Sequence, residues 1–252
     1  MRTLAALVFL LASSPALAGE ARLYIAPQYV QTHLTGDARV SGDTGVPPTT
    51  FSLEDTLGVD PDVPAPTVEG FVKFLGARLS FGWTHSEADG RTTLDELVVF
   101  DGGAFLPGQT VETQIDMTRY KLLFGGDFGV KVVNGGFLVG AQLIDISAEL
   151  TSSTLEEEES MRLPLPAVGG FIGVHPVDWL AIHAELTGIS VTLSDVHTKM
   201  LDGFAGIDFL LASRVGLGVG YRYFMLDADD EDEDNAVDLV QRGVYVGLSL
   251  HL

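Results

Sequence analysis

The hydrophobic and polar positions at the C-terminal end of the chain alternate with a strict period of two. Over residues 243–252, every even position from Val244 to Leu252 is aliphatic, whereas the odd positions hold Gly, Tyr, Gly, Ser and His. This period places all the aliphatic side chains on one face of an extended strand. Because the aliphatic series runs to the last residue, the pattern predicts the final strand of a transmembrane β-barrel, closing against the first strand.

The same alternation recurs along the chain and predicts ten antiparallel strands, separated by polar loops or turn residues. Connections after the odd-numbered strands are long, and those after the even-numbered strands are short. This asymmetry is typical of an up-and-down outer-membrane barrel with long external loops, short periplasmic turns and both termini in the periplasm. Eight strands remain an alternative count. The ten predicted strands span residues 22–32, 66–75, 77–86, 111–128, 136–150, 162–174, 179–189, 199–211, 215–226 and 236–252.

A secreted β-sandwich is the competing interpretation of this periodicity. We favour the all-β membrane barrel because every predicted strand has an apolar face and because aromatic residues rim these faces, as in interfacial girdles. Asp145 interrupts the apolar face of the fifth strand, which indicates either a β-bulge or the edge of the membrane. The rimming aromatic residues are Tyr24, Tyr29, Trp83, Tyr120, Trp179, Tyr221 and Tyr223.

Residues 1–18 have the composition of a secretory signal peptide. Arg2 precedes an apolar run over residues 4–11, and the small residues around Ala16 and Ala18 predict cleavage before residue 19. The apolar run is far shorter than the roughly 20 residues that a membrane-spanning helix needs. We therefore expect a cleaved signal peptide at 1–18 and a single barrel domain at 19–252, exported to the outer membrane of a Gram-negative bacterium.

The chain is strongly acidic and yet apolar on average. It has 14 basic and 35 acidic residues, a formal net charge of −21, and a mean hydropathy of +0.27. The negative charge argues against nucleic acid as a partner. The absence of cysteine excludes disulfides and thiol chemistry. Acidic residues concentrate in segments predicted to be loops, above all 156–159 and 227–234.

Three segments resemble a family of proteobacterial outer-membrane β-barrel proteins of unassigned function. Residues 51–60, FSLEDTLGVD, are similar to the LEDxLGL segment in the first loop of that family. Residues 100–120, which include Phe105 and Gly108, and residues 215–224, VGLGVGYRYF, are similar in the same order. The resemblance covers most of the mature chain and implies a fold and a compartment, but no reaction. Outer-membrane lipid, lipopolysaccharide and the barrel-assembly machinery are the expected partners.

If the aliphatic faces contact lipid, the opposite faces carry charged side chains into the lumen. A narrow barrel with both signs of charge inside is expected to pair them, because an unpaired buried charge is costly. We therefore predict a salt-bridged plug, with a small conducting pore as the alternative. The predicted lumen network comprises Arg22, Glu69, Lys73, Arg78, Arg119, Lys121, Asp127, His183, Glu185, Asp202, Asp208 and Arg222, with His251 on the same face.

No residue pattern singles out a catalytic site, and we expect no cofactor. His183 and Glu185 share one lumen face, a spacing that permits a dyad, but a histidine beside a carboxylate in a charged lumen is more often part of the packing network. His33 and His85 lie near the outer ends of strands, with no serine or aspartate at a spacing that marks a site. The Gly-x-Ser-x-Gly, His-Glu-x-x-His and P-loop motifs are absent.

Two function classes therefore stay open. The first is a non-enzymatic barrel with an envelope structural or surface-interaction role, and the second is a rim enzyme that acts on lipid or peptide.

The acidic segment before the last strand is a candidate weak site for Ca²⁺ or Mg²⁺. The EF-hand spacing and its central glycine are absent, and a solvated loop of mutually repelling acids is the alternative. Its acids are Asp227, Asp229, Asp230, Glu231, Asp232, Glu233 and Asp234.

Overall fold

A computed structural model of the protein describes residues 22–40, 49–101, 103–130, 132–193, 196–212, 214–230 and 235–252. The predicted signal peptide at 1–18 lies outside these residues. No helix long and apolar enough to span a membrane occurs in the described part of the chain. The described secondary structure consists of β-strands and the turns between them, as the alternating pattern predicts.

Ten long antiparallel strands form one closed barrel within the described residues. Each strand pairs with its neighbours along the chain, and the first also pairs with the last. This closing register runs from Tyr24 opposite His251 to Arg39 opposite Ala236. The predicted ten-stranded barrel is confirmed, and the eight-stranded and sandwich alternatives are excluded. The barrel strands are β1 (Arg22–Arg39), β3 (Asp62–Phe74), β4 (Ala77–Thr93), β7 (Thr110–Gly129), β8 (Val133–Ser152), β9 (Glu156–Val177), β10 (Leu180–Leu193), β11 (Val196–Ala212), β12 (Val215–Asp230) and β13 (Asn235–His251).

Both ends of the described chain lie at the same rim of the barrel, here termed the terminal rim. The backbones of Leu23 and Leu252 exchange two hydrogen bonds there, of 2.7 and 2.8 Å. Tight turns join strands at this rim. Between β3 and β4, Leu75 and Gly76 both have positive φ angles, of 50° and 79°, as the two central residues of a type I′ hairpin require.

An apolar belt encircles the barrel next to the terminal rim. Large aliphatic and aromatic side chains point outward there and are at least one-third exposed. Together they form a continuous apolar patch that is far larger than those on soluble monomeric proteins. The belt is therefore the lipid-facing surface of a membrane-spanning barrel. Its residues include Tyr29, Leu79, Trp83, Tyr120, Leu122, Phe124, Phe137, Val139, Val168, Ile172, Ile182, Leu186, Ile207, Phe209, Leu217, Val219, Tyr221, Val244, Val246, Leu248 and Leu250.

Asp145 marks the edge of this belt. The register of β8 with both neighbouring strands is unbroken around Asp145, so the membrane edge, and not a bulge, accounts for its place on the outward face. Its cross-strand partner Arg162 donates two hydrogen bonds, of 2.6 and 3.0 Å. These hydrogen bonds hold the pKa of Asp145 below its ordinary value. The last apolar row across β4, β7, β8 and β9 is Trp83, Tyr120, Leu143 and Pro164, and the first polar row is His85, Thr118, Asp145 and Arg162.

Beyond this edge the strands continue, and the polarity of their two faces reverses. In β7 the outward positions change from Leu122 and Tyr120 to Asp116, while the inward positions change from Lys121 to Ile115. Water replaces lipid outside the belt, so apolar side chains turn toward the interior and polar side chains turn outward. We term this part of the barrel the distal extension.

The distal extension contains much of what the sequence pattern predicted to be loop. β1 ends at residue 39 instead of 32, and β9 begins at Glu156, so the four glutamates at 156–159 belong to a strand. The connections over residues 40–61 and 94–109 are long, as predicted, whereas β8 and β9 are joined by residues 153–155 alone. The reversal of polarity ended the predicted apolar faces of strands such as β1 and β9 at the membrane edge, which made these strands look shorter than they are.

The described parts of the two long distal connections fold into the mouth of the extension. They contain the short strands β2 (Thr50–Ser52), β5 (Val98–Phe100) and β6 (Gly103–Phe105). β2 pairs with β1, and β5 and β6 form a separate hairpin. Their apolar side chains join the inward faces of the barrel strands in a buried cluster, here termed the distal plug. It consists of Leu34, Phe51, Leu53, Leu57, Val59, Val63, Ala88, Leu94, Val98, Phe100, Phe105, Val111, Ile115, Leu150 and Leu239.

Replacement of Phe105 by Ala should destabilise the distal plug. Phe105 is 0% exposed, and removal of a buried phenylalanine side chain typically costs about 3–5 kcal/mol through lost burial and the cavity left behind. The neighbouring Leu106 is 55% exposed, so Leu106→Ala is the matched control. Denaturant unfolding and limited proteolysis of the refolded protein measure both variants. Equal effects of the two substitutions would contradict the buried plug.

Candidate functional site: the charged lumen

Seven charged side chains from six of the barrel's strands meet inside the belt. All of them occupy inward positions of the two-residue alternation, and none is more than 8% exposed. Such a concentration of buried charge is tolerated only where the charges are paired. This group, here termed the lumen network, consists of Glu69, Arg78, Arg119, Lys121, Glu185, Asp202 and Arg222.

Lys121 lies at the centre of the lumen network. Its Nζ is 2.9 Å from Glu185 Oε1, 3.3 Å from Glu69 Oε2 and 3.7 Å from Asp202 Oδ2. These three carboxylates come from β3, β10 and β11, so one ammonium group connects strands on different sides of the barrel. An ammonium group with three donors suits such convergence. Lys121 therefore links the walls of the lumen.

Arg222 and Arg78 bind the remaining oxygens of two of these carboxylates. Arg222 donates to Glu69 Oε1 at 2.7 Å, and Arg78 donates to Glu185 Oε2 at 3.0 Å. The guanidinium carbon of Arg78 also lies 4.0 and 3.9 Å from the ring centroids of Phe71 and Phe171. Stacking between two aromatic rings suits the flat, weakly hydrated guanidinium group. Each of the two glutamates therefore binds its own arginine with one oxygen and Lys121 with the other.

Arg119 completes the network on the side nearer the distal extension. Its guanidinium carbon lies 3.8 Å from the ring centroid of Phe224, and its Nη2 donates to Gln241 at 3.2 Å. Its Nη1 is 3.6 Å from Asp202 Oδ1, beyond hydrogen-bond range. Among the described residues, Arg119 Nε and Asp202 Oδ1 have no hydrogen-bond partner. Charge attraction, more than hydrogen bonding, holds this corner.

Three glutamines complete the network, although the sequence analysis did not single them out. Gln28 accepts a hydrogen bond from Arg222, and Gln142 donates to Asp202, both at 3.2 Å. Gln241 accepts from Arg119. All three lie on inward strand positions and are 7% exposed or less. The two-residue period that identified the inward charged residues also places these three amides inward. It could have identified them, since buried uncharged polar groups also need hydrogen-bond partners.

The other predicted lumen residues lie nearer the terminal rim. Lys73 forms a separate ion pair with Asp127, with 2.8 Å between Nζ and Oδ2. Arg22 is exposed at the rim and does not join the lumen network, because it lies at the very start of β1. No carboxylate lies within ion-pair distance of it among the described residues. Arg22 keeps the inward side that the sequence pattern predicts, and its side chain lines the solvent-accessible mouth of the lumen.

His183 does not form the dyad with Glu185 that the sequence spacing permits. Both oxygens of Glu185 are occupied by cations, as described above. His183 Nδ1 lies 3.8 Å from Asp208, and its Nε2 is hydrogen-bonded to the Tyr245 hydroxyl at 3.3 Å. Tyr24, which the sequence analysis placed in the aromatic rim, instead points into the lumen and donates to Asp208 Oδ2 at 3.2 Å. His251 Nε2 is 3.9 Å from the same oxygen. Asp208 is therefore the centre of a second polar group.

A cavity of about 990 Å³ lies between the lumen network and the terminal rim. Arg22 and Leu252 line its mouth, whereas Arg78 and Glu185 line its inner end. On the other side of the network, the described lumen is filled. A cavity of about 10 Å³ lies beside Arg119, which is the lower limit for one water molecule. The lumen is therefore an open vestibule on one side and a packed core on the other.

The acidic segment of the sequence analysis lies only partly within the described residues. Asp227, Asp229 and Asp230 belong to β12, and residues 231–234 lie outside the described part of the chain. Asp227 is 3.2 Å from the ammonium group of Lys199, and Asp229 is 3.4 Å from the guanidinium group of Arg39. Two of the predicted acids are thus paired with cations of neighbouring strands.

Asp227 also belongs to a row of three aspartates across neighbouring strands. The register pairs Asp238 of β13 with Asp37 of β1 on one side and with Asp227 of β12 on the other. Partial burial, together with the charges of Asp227 and Asp37, raises the pKa of Asp238 above its ordinary value. Like charges in directly opposed positions destabilise a sheet. This row therefore reduces the stability of the distal extension at neutral pH.

Comparison with known proteins identifies the fold. No protein-family model and no curated protein sequence matches the chain. The solved structure of the outer membrane protease OmpT from Escherichia coli is similar, with a TM-score of 0.54 at 7% identity, and the match covers 95% of this chain and 99% of that one. Ail, the attachment invasion locus protein of Yersinia pestis, in complex with the heparin analogue sucrose octasulfate, matches with a TM-score of 0.40 at 13% identity, over 93% and 100% of the two chains. The chain therefore has the fold of the bacterial outer-membrane β-barrel proteins.

Proposed function

We propose that the protein is a sealed, non-enzymatic barrel of the outer membrane with a structural or surface-interaction role in the envelope. The observation that carries this proposal is the filling of the described lumen from the lumen network to the distal mouth, beyond the open vestibule at the terminal rim. The lumen network occupies the part within the belt, and the distal plug occupies the mouth of the extension. A second apolar cluster extends from the wall beside the lumen network, at Leu123, Leu138 and Phe171, toward the distal plug. It is composed of Met117, Leu123, Leu138, Ile144, Leu165, Ala167, Phe171, Met200, Phe224 and Leu226.

The packing of the lumen supports a sealed barrel over a pore. A conducting channel needs a continuous water-filled path with charged groups accessible to ions. Here the central ammonium group of Lys121 is bound by three carboxylates. On the side of the lumen network that faces the distal plug, the inward side chains are apolar. Ions that enter the vestibule from the terminal rim meet a fixed set of paired charges and then apolar side chains. Passage would require separation of those pairs.

The contacts of His183 and Glu185 support a non-enzymatic role. A general base must reach a substrate proton with a free nitrogen or oxygen. Arg78 and Lys121 occupy the carboxylate of Glu185, while His183 is hydrogen-bonded to Tyr245. The name of OmpT describes a protease, but a likeness at 7% identity carries the fold alone.

The distal extension supports the surface-interaction part of the proposal. Short turns and both ends of the described chain at the terminal rim suit the periplasmic side of such a barrel, and we propose that the distal extension lies outside the cell. There it presents a rigid, acidic β-surface beyond the lipid. The partners that we propose for it are lipopolysaccharide and divalent cations that bridge acidic groups, while the barrel-assembly machinery inserts the chain.

The refolded protein should not conduct ions in planar lipid bilayers. Insertion of the wild-type chain is expected to leave the membrane current at its background level, because the lumen network and the distal plug close the path. A difference in gel migration between unheated and heated samples shows that the protein is folded before it is tested. Stable unitary currents from folded wild-type protein would contradict the sealed barrel and favour a narrow pore.

Replacement of Lys121 by Met should strongly destabilise the barrel. The substitution leaves three buried carboxylates without their shared cation, and removal of one partner from a buried ion pair costs about 3–5 kcal/mol. The control is Lys199→Met, which breaks the exposed pair with Asp227 and should cost at most about 1 kcal/mol. Denaturant unfolding in lipid vesicles measures both. Similar losses in the two variants would show that the lumen charges are solvated.

Replacement of Asp238 by Asn should stabilise the protein slightly at neutral pH. Because the folded state raises the pKa of Asp238, the ionised form opposes folding at pH 7, and this cost disappears as the pH falls through that pKa. The gain should stay within about 0.5 kcal/mol, since water screens these exposed charges. Asp145→Asn should act in the opposite direction, because its pKa is lowered. Unfolding midpoints of the wild type and both variants at pH 7 and pH 3 test whether the two substitutions change the stability in opposite directions.

A further inference from the structure

A cluster of potential metal ligands lies on the outward face of the barrel, at the membrane edge. His85 and Glu87 come from β4, and Asp116 comes from β7. One ligand atom of each residue lies within 4.8 Å of the other two. The two-residue period places His85 and Glu87 on the same face, and the register sets Glu87 directly opposite Asp116. The three ligands thus converge from two adjacent strands.

The position of His85 is fixed from two sides. The ring of Trp83, which belongs to the last apolar row, stacks on the His85 ring with 6.3 Å between centroids and an interplanar angle of 10°. His85 Nδ1 is hydrogen-bonded to the Thr118 hydroxyl at 3.0 Å. When Nδ1–H donates to this oxygen, Nε2 presents a lone pair to a metal ion. An outer hydrogen bond of this kind orients most metal-binding histidines.

Glu87 also has a partner outside the cluster. The amide nitrogen of Gln114 donates to Glu87 Oε1 at 3.1 Å, which leaves the second oxygen of the carboxylate for a metal ion. Gln114 and Thr118 both lie on β7, on the same face as Asp116. β7 therefore supplies one ligand and positions the two ligands of β4.

The charge balance of the cluster distinguishes it from the neighbouring carboxylates. Glu112, farther along β7, is paired with Arg91 at 3.1 Å, and Asp145, in the adjacent strand, is paired with Arg162. Among the described residues, no lysine or arginine lies within ion-pair distance of Glu87 or Asp116. Two adjacent carboxylates repel each other, and a bound cation would remove this repulsion.

We propose that His85, Glu87 and Asp116 bind a divalent transition-metal ion, such as Zn²⁺ or Mn²⁺, at the membrane edge. The imidazole ligand favours these ions over Ca²⁺ and Mg²⁺, which prefer oxygen ligands alone. Three protein ligands leave at least one coordination position open to the outside. The metal ion joins β4 to β7 just beyond the lipid-facing belt. The sequence did not reveal the site because Asp116 lies far from His85 along the chain.

Titration calorimetry on the untagged, chelator-treated and refolded chain tests this site. Wild-type protein should bind one equivalent of Zn²⁺ or Mn²⁺, and Ca²⁺ should bind more weakly. His85→Gln and Asp116→Asn should each weaken binding at least about tenfold, and Thr118→Val should weaken it by roughly 10–100-fold through loss of the orienting hydrogen bond. The control is His197→Gln, which removes another half-buried histidine, hydrogen-bonded to Thr192, and should leave binding unchanged.

Three results would overturn the proposal: no saturable binding of either transition metal by the wild-type chain, undiminished binding by His85→Gln, or Ca²⁺ binding as tight as that of both transition metals. Each variant is first shown to be folded by its heat-dependent gel shift. X-ray absorption of the loaded protein gives an independent measurement. One nitrogen and several oxygen neighbours at about 2.0–2.2 Å from Zn²⁺ are expected, whereas an oxygen-only shell excludes His85 as a ligand.

Discussion

The pairing of β1 with β13 is the constraint on which the rest of this structure depends. The hydrocarbon core of a membrane offers no water to the backbone, so every amide and carbonyl group within the belt must be bonded inside the protein. An open sheet of ten strands leaves two unpaired edges, and the closing register from Tyr24–His251 to Arg39–Ala236 removes both. Closure also determines which side chains meet across the lumen.

The narrow interior created by closure explains the arrangement of its charges. Five lysine or arginine cations and five carboxylates occupy the described lumen within the belt. All of them except Asp208 belong to an ion pair, and Asp208 accepts a hydrogen bond from Tyr24 and lies beside His183. The pairs cross the lumen between distant strands, as the contacts of Lys121 illustrate. Since removal of one member leaves the others buried and uncompensated, these contacts restrain the barrel wall from within.

The change of solvent along the barrel axis explains its second main feature. Within the belt, lipid selects apolar outward side chains, and the interior holds polar ones. Beyond the row of Trp83 and Tyr120, water selects polar outward side chains, and the interior becomes an apolar core closed by the distal plug. The acidic outward surface and the ligand cluster at His85 both begin at this edge, where charged groups first have access to water.

The alternation along the sequence was sufficient to predict the barrel, its ten strands and the inward side of residues such as Arg119, Glu185 and Arg222. A two-residue period divides the side chains of each strand between two faces, and an apolar face on every strand favours lipid contact over a sandwich core. It did not predict the distal plug, since burial of Phe100 and Phe105 depends on two connections folding back into the barrel. Nor did it reveal the meeting of His85 with Asp116. Periodicity assigns a side chain to a face, whereas strand register and closure decide which side chains on that face come together.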